Sequence, residues 1–322
     1  MTLSDDDFAR YAIQYVPGVG AAKVRKTFAM QPCSPHDLAD HFRGSGIHID
    51  DQDIESAVDR AHREIDTCND LLIRIVSLND GAYPAQLTGI PSPPAFLFVK
   101  GRIPELWERA VAVIGTREPS DVAISATRHV VDAAAEAGEV VVVSGLALGI
   151  DSVAHQRALD RGVVTVAVLA NGLDTVYPRA NAKLAADILE AGGALLSENP
   201  PGRMAERFAL VARDRLQSGL ARAIFLIQSS LDGGSMHTAL FSKKQNRILI
   251  VLRPPESSID WSGNAFLIAK NPKSVPQMKH FTKYISDSPI ATAMSLSSIK
   301  QFVQRGFSAS FVSREPELRL DL

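Results

Sequence analysis

The sequence predicts an α/β fold, an extended Rossmann-like doubly wound parallel sheet preceded by a small helical domain. Two observations carry that prediction. Between Val111 and Leu252, apolar runs at 111–114, 140–143, 164–169, 194–197, 223–228 and 248–252 lack polar alternation, as strands covered on both faces do. Helical stretches at about 119–137, 151–161, 181–191, 206–219 and 234–246 separate them, the spacing of right-handed crossovers. A third observation points to function. The runs V-A-V-I-G-T-R-E-P-S from Val111 and V-V-V-V-S-G-L-A-L-G-I-D from Val140 both end in glycine just before a helix start. Glycine lets backbone approach a ligand, and the next helix offers unpaired N–H groups at the positive end of its dipole.

The 322 residues suffice for two domains, and 46% hydrophobic residues suffice for a sizeable core. Neither cysteine, Cys33 or Cys68, lies in a CxxC pattern. With no signal peptide and no apolar run near 18 residues, the expectation is a reduced cytoplasmic protein with no membrane attachment. A net charge of −2 gives no global attraction to nucleic acid, so any polyanion would need a local basic patch.

Residues 1–70 read as a helical domain. Asp5, Asp6 and Asp7 suit a first turn, and Phe8, Tyr11, Ala12, Tyr15 and Val16 share one helical face. The stretch P-G-V-G-A-A-K-V-R-K-T-F from Pro17 is compatible with a helix-hairpin-helix holding a DNA phosphate, or with a helical hairpin packed on itself. Residues 32–48, with their Pro, Gly and Ser, read as a loop, and a helix follows from Asp51 to about Cys68. Strands at L-L-I-R-I-V-S-L and A-F-L-F-V-K-G then open the main domain, taken as 71–275. Trp261 to Ile268 make one more helix, and 276–322 read as an appendage or tail.

The ordered motifs S-G-L-A-x-G-I-D-x-x-A-H, V-A-V-L-A-N-G-L-D-x-x-Y-P-x-x-N, L-L-S-E-x-P, F-x-x-x-A-R-D-R-L-x-S-G-L, S-S-L-D-G-G-S-M-H-T-A and S-G-N-A-F-L-I follow G-T-R-x-x-S along the chain. Together they resemble the DNA-processing protein A (DprA/Smf) family, roughly from Leu71 to Val275. The resemblance implies a cytoplasmic homodimer that binds single-stranded DNA without turnover chemistry or cofactor and helps load a RecA-type recombinase in natural transformation. It places phosphate binding at Gly115, Thr116, Arg117 and Ser120, at Ser144, Gly145 and Gly149, at Arg213 and Arg215, and at Gly233, Gly234, Ser235 and Thr238. Tyr177 and Phe208 are candidates for base stacking.

Two positions depart from the family pattern. Leu148 stands where the family carries a basic residue, and Asp214 replaces the asparagine of R-N-R. With the near-neutral charge, these departures support a rival: a nucleotide-derivative sensor or nucleotide-processing enzyme on the same scaffold, in defence for example. A third reading is a dimeric scaffold with a protein partner. The loop at Gly233 loosely resembles that of phosphoribohydrolases, but Phe241 stands where their glutamate would be. Asp151 reads as an N-cap, His155 as a packing residue, Glu198 as a strand-end cap. No interval supports a metal site. Arg179, Lys183, Arg203, Arg207, Lys243, Lys244 and Arg247 are candidates for a wider basic rim.

Overall fold

The computed structural model describes residues 3–30, 34–254, 259–268, 290–292 and 296–305. Cys33 and the R-E-P-E segment lie outside them. Among the described residues one sheet is built from β1 (Ile73–Ser77), β2 (Phe96–Gly101), β3 (Ala110–Ile114), β4 (Val141–Ser144), β5 (Val164–Leu169), β6 (Ala194–Ser197), β7 (Ala223–Leu226), β8 (Ile248–Val251) and β9 (Ile290–Thr292). Their order is β1-β2-β6-β5-β4-β3-β7-β8-β9. From β6 to β9 every pairing is parallel, whereas β1 and β2 add antiparallel strands at one edge.

Strands β3 to β6 progress one way from β3, and β7 to β9 the other. The sheet is therefore doubly wound, with its topological switch between β3 and β7. At such a point successive connections cross to opposite faces and leave a crevice at the carboxyl ends of the strands. The central strands are fully buried, as their β-branched and alanine-rich runs require.

Helices α1 (Asp5–Ile13), α2 (Ala21–Thr27), α3 (Pro35–Gly44) and α4 (Asp51–Asp70) precede the sheet. Residues 35–44 are helical, not the loop expected over 32–48. Ser34 is an N-cap in a reciprocal capping box with Asp37, and Pro35 occupies the first turn, where its missing N–H costs nothing. The proline and serine mark a helix start. The turn between α1 and α2 packs Val16 and Val19 inward beside Val24 of α2, and Lys23 Nζ donates to the Gly18 carbonyl at 2.7 Å. The lysine thus closes its own hairpin. Tyr11 stands edge-on to Phe96 with ring centroids 5.0 Å apart, and Ser77 Oγ donates to Asp7 at 2.7 Å. One apolar cluster runs from these helices onto β1, β2, β5 and β6, so the core is continuous across residue 70.

After β1 come the short α5 (Ala85–Thr88), then α6 (Asp121–Glu136), α7 (Ile150–Asp160), α8 (Ala182–Glu190), α9 (Arg207–Leu220), α10 (Ser235–Lys244), α11 (Ser262–Ile268) and α12 (Leu296–Gln304). Leu216, Leu220, Met236, Ala239, Phe266 and Leu267 of α9, α10 and α11 cover one face of the sheet. Helices α6, α7 and α12 cover the other, α12 through Ile299, Phe302 and Val303. The segment read as an appendage therefore supplies a strand and a helix to the main core.

Candidate nucleic-acid interface

The crevice at the switch point is a cleft of about 430 Å³. It is lined by the turn after β3 (Gly115, Thr116, Arg117), the turn before α10 (Asp232 to Ser235) and the inner side of α9 (Arg207, Arg213, Asp214, Gln217). Arg117 is exposed on its turn, whose backbone is fixed from below: Thr116 N donates to the Gln228 carbonyl at 2.8 Å and Ser120 N to Gln228 Oε1 at 2.9 Å. The turn after β7 is held by fully buried Asn264. Its Oδ1 accepts from Ser229 N, and its Nδ2 donates to the carbonyls of Ile227 and Leu252, all within 2.9 Å. Asn264 lies in the S-G-N-A-F-L-I motif, a visible signal; nothing in the sequence marks Gln228.

Helix α10 begins at Ser235 after the N-cap Gly234, with no side chain capping it, and its N-terminus opens on the cleft. Ten residues of helix place a positive dipole end there, although Met236 N and His237 N already donate to the Gly233 and Gly234 carbonyls at 3.0 Å. Gly233, Gly234 and Ser235 thus lie across one cleft from Thr116 and Arg117. Thr238 is buried in its wall, and Arg207 and His237 join its lining.

The turn after β4 is arranged differently from expectation. Asp151 does not cap its own helix, whose N-cap is Gly149. Its carboxylate folds back to accept from Gly145 N at 3.1 Å and Ala147 N at 3.3 Å. A carboxylate from the chain itself therefore sits where a ligand anion was expected. Ser144 is fully buried and donates to the Val113 carbonyl at 2.7 Å. A Cβ on Gly145 would lie 1.3 Å from Arg213 Nη1. Gly149 has φ +78°, and a Cβ there would lie 2.4 Å from the Thr116 carbonyl oxygen. These three residues let the two turns and α9 pack together; they do not form an open phosphate seat. Ser120 likewise caps α6 and donates to Gln228, away from the cleft lining.

Arg213 and Arg215 part company because α9 is helical through both. Arg213 is a buried strut: Nη1 donates to the Val168 carbonyl at 3.1 Å and its guanidinium lies 3.3 Å from Asp214. Arg215 is turned away into a bidentate pair with Glu198 at 2.6 and 2.7 Å, so neither residue serves as expected: Glu198 is an ion-pair partner and Arg215 does not line the cleft. Of the wider basic rim, Lys183 pairs with Asp187, and Arg247 donates to the carbonyls of Gln86 and Gly219. His155 is fully buried, bonded through Nδ1 to Thr165, and desolvation holds it neutral with a pKa lowered to about 3.

The cleft is charge-balanced: Arg117, Arg207 and Arg213 face Asp151, Asp214 and Asp232. Burial raises the Asp151 carboxyl above its usual range and pushes Asp214 up to about 7, against the pull of Arg213. Leu148 is 46% exposed at the rim, Tyr177 50% and Phe208 87%. Among the described residues no group of three His, Cys, Asp or Glu side chains could hold a metal ion, and no helix is long and apolar enough to cross a membrane.

Fold and cleft together define a Rossmann-like α/β protein with an anion-compatible carboxyl edge. The family model described as DNA recombination-mediator protein A matches residues 74–286, and the chain belongs to that family. It is 38% identical over 186 residues to protein Smf of Escherichia coli (strain K12), covering 58% of this chain and 50% of that one. It is 35% identical over 184 residues to DNA processing protein DprA of Streptococcus pneumoniae, 57% of this chain and 64% of that one. The chain thus spans about half the length of the Escherichia coli relative. The solved DprA structure from Streptococcus pneumoniae has the same fold, with a TM-score of 0.70, 24% identity, and coverage of 99% of this chain and 100% of that one. DNA processing protein A from Helicobacter pylori, solved for its single-stranded DNA binding mode, matches with a TM-score of 0.53 and 29% identity, over 60% of this chain and 87% of that one.

Proposed function

We propose that this protein binds single-stranded DNA non-enzymatically, by backbone phosphates at the carboxyl edge of its sheet. On this reading it acts in the cytoplasm as a homodimer, loading a RecA-type recombinase onto strands taken up in natural transformation. The observation that carries the binding site is the uncapped N-terminus of α10 facing exposed Arg117 across one cleft. Helix N–H groups and a guanidinium fork both favour phosphate oxygens and neither reads sequence, so base preference is slight. Family membership and the DNA-binding relative support the same reading.

Fluorescence anisotropy with a dT20 oligomer tests it. Affinity falls steeply between 50 and 200 mM salt, and Arg117→Ala weakens it by roughly tenfold or more while lowering the salt slope by about 0.7. Salt-independent binding indifferent to Arg117 would overturn the phosphate grip.

The charge balance of the cleft favours a second reading, a free nucleotide derivative whose hydroxyl or amino groups meet Asp214 or Asp232. Mass spectrometry of ligands released from purified protein decides between them: a bound small nucleotide with no oligomer binding selects the second.

A further inference from the structure

A second cleft, of about 590 Å³, lies on the edge of the sheet opposite the phosphate cleft. Gly101, the last residue of β2, pairs with Ala194, the first of β6, so the segment after Gly101 runs along the amino ends of the parallel strands. Residues of that segment, from Arg102 to Glu108, form one wall, and Tyr83 with Gln86 of α5 form another. The backbone is held on both sides. Arg102 N donates to the Gly193 carbonyl at 3.1 Å, and Arg247 donates to the Gln86 carbonyl at 2.8 Å.

Two buried polar atoms of this lining, Trp107 Nε1 and Gln86 Oε1, have no hydrogen-bond partner among the described residues. Trp107 is 5% exposed and packs in one cluster with Tyr83 and Val99, which fixes its ring in the wall. Tyr83 cannot serve it, because its own hydroxyl donates to the Pro94 carbonyl at 2.9 Å. One orphan is a donor and the other an acceptor, and each unmade bond is unfavourable. The charged groups of the cleft are of both signs. Arg74 is occupied by Asp80 at 2.9 Å, whereas Arg102, Glu105 and Glu108 are exposed and in no ion pair among the described residues.

A carboxamide carries an acceptor oxygen and donor hydrogens on one planar group, the complement of Trp107 Nε1 and Gln86 Oε1. A carboxylate suits Arg102, and an ammonium suits Glu105 or Glu108. An α-amino acid with a carboxamide side chain has all three groups, and the cleft is of the size that holds small ligands. We propose that this cleft binds free glutamine or asparagine, with the side-chain amide bridging Trp107 and Gln86 and the α-carboxylate and ammonium on Arg102, Glu105 and Glu108. None of these residues lines the phosphate cleft, so the site does not depend on the strand-binding reading.

Isothermal titration of the full chain with L-glutamine, L-asparagine and L-glutamate tests it. One of the two amides binds with a dissociation constant of about 1 mM or lower, and glutamate, which has no side-chain N–H for Gln86, binds at least about tenfold more weakly. Trp107→Phe keeps an aromatic ring in the wall, removes the N–H and weakens amide binding about tenfold. Arg102→Gln, at an exposed position where the fold is undisturbed, weakens it by a similar factor and carries the test if Trp107→Phe fails to fold. Absence of binding by either amide at about 10 mM overturns the site. So does glutamate binding as tightly as the amides, or affinity unchanged in Arg102→Gln or in a folded Trp107→Phe.

Discussion

Replacing Asp214 by asparagine isolates the electrostatics of the cleft. The carboxyl of Asp214 is buried on α9, 3.3 Å from the Arg213 guanidinium, with Asp151 and Arg117 as its other charged neighbours. Desolvation outweighs the attraction of the two arginines and raises its pKa from 3.8 to about 7 in the folded protein. The sign of the linkage follows from that direction. In the unfolded chain the group ionises near pH 4, whereas the folded protein holds the proton until about pH 7. Between those limits the native state binds more protons, so stability falls as pH rises, and the full penalty is present above pH 7. Raising the pKa from 3.8 to about 7 corresponds to at most about 4 kcal/mol, at ~1.4 kcal/mol per tenfold.

Asp214→Asn removes that penalty while keeping a polar side chain of the same shape beside Arg213. Urea unfolding at pH 5 and pH 8 measures it. The variant gains stability over the wild type at pH 8, by about 1–4 kcal/mol, and the gain shrinks toward pH 5. A gain equal at both pH values, or a loss at pH 8, refutes the reasoning. The same charge lies in the anion cleft, so oligomer affinity of the wild type falls from pH 6 to pH 8. Asparagine flattens that profile and tightens binding at pH 8 roughly fivefold, the effect of removing about 1 kcal/mol of repulsion.

Other consequences follow from the same geometry. Leu148→Lys places a cation at an exposed rim position; the fold is undisturbed, and dT20 affinity rises with the salt slope steeper by about 0.7, read from anisotropy across a salt series. Asp151→Ala removes the carboxylate that Gly145 N and Ala147 N share and costs about 1–3 kcal/mol of unfolding free energy by urea titration, a change under about 0.5 kcal/mol contradicting its place in the turn.

How much of the site was legible in the sequence differs from turn to turn. G-T-R after β3 and G-G-S before α10 could be paired from the sequence and do line one cleft, because a glycine turn feeding a helix start is a local pattern. The S-G-L-A-L-G-I-D motif looked like the same device, yet its glycines serve close packing against Thr116 and Arg213, and its aspartate fills its own turn. Sequence alone does not separate the two cases, since what distinguishes them is whether another element lies over the turn. The pair R-D-R shows the same limit. Helical spacing forbade both arginines one face, but only the placement of Glu198 and Val168 decided which residue paired and which became a strut.

The sequence by itself determined the alternation of strands and helices, the doubly wound sheet, the family and the sheet edge on which the glycine turns gather. These follow from apolar periodicity, turn residues and ordered motifs, all properties of neighbouring positions. Only the tertiary structure decided which turn an aspartate of the chain fills, that Asp214 lies desolvated in the cleft, that Asn171 Oδ1 has no partner among the described residues and that residues 290–305 contribute to the core in their described parts. Burial and hydrogen-bond partnership arise between residues far apart along the chain, 161 positions for Arg247 and Gln86, and no local pattern encodes what will cover a given group.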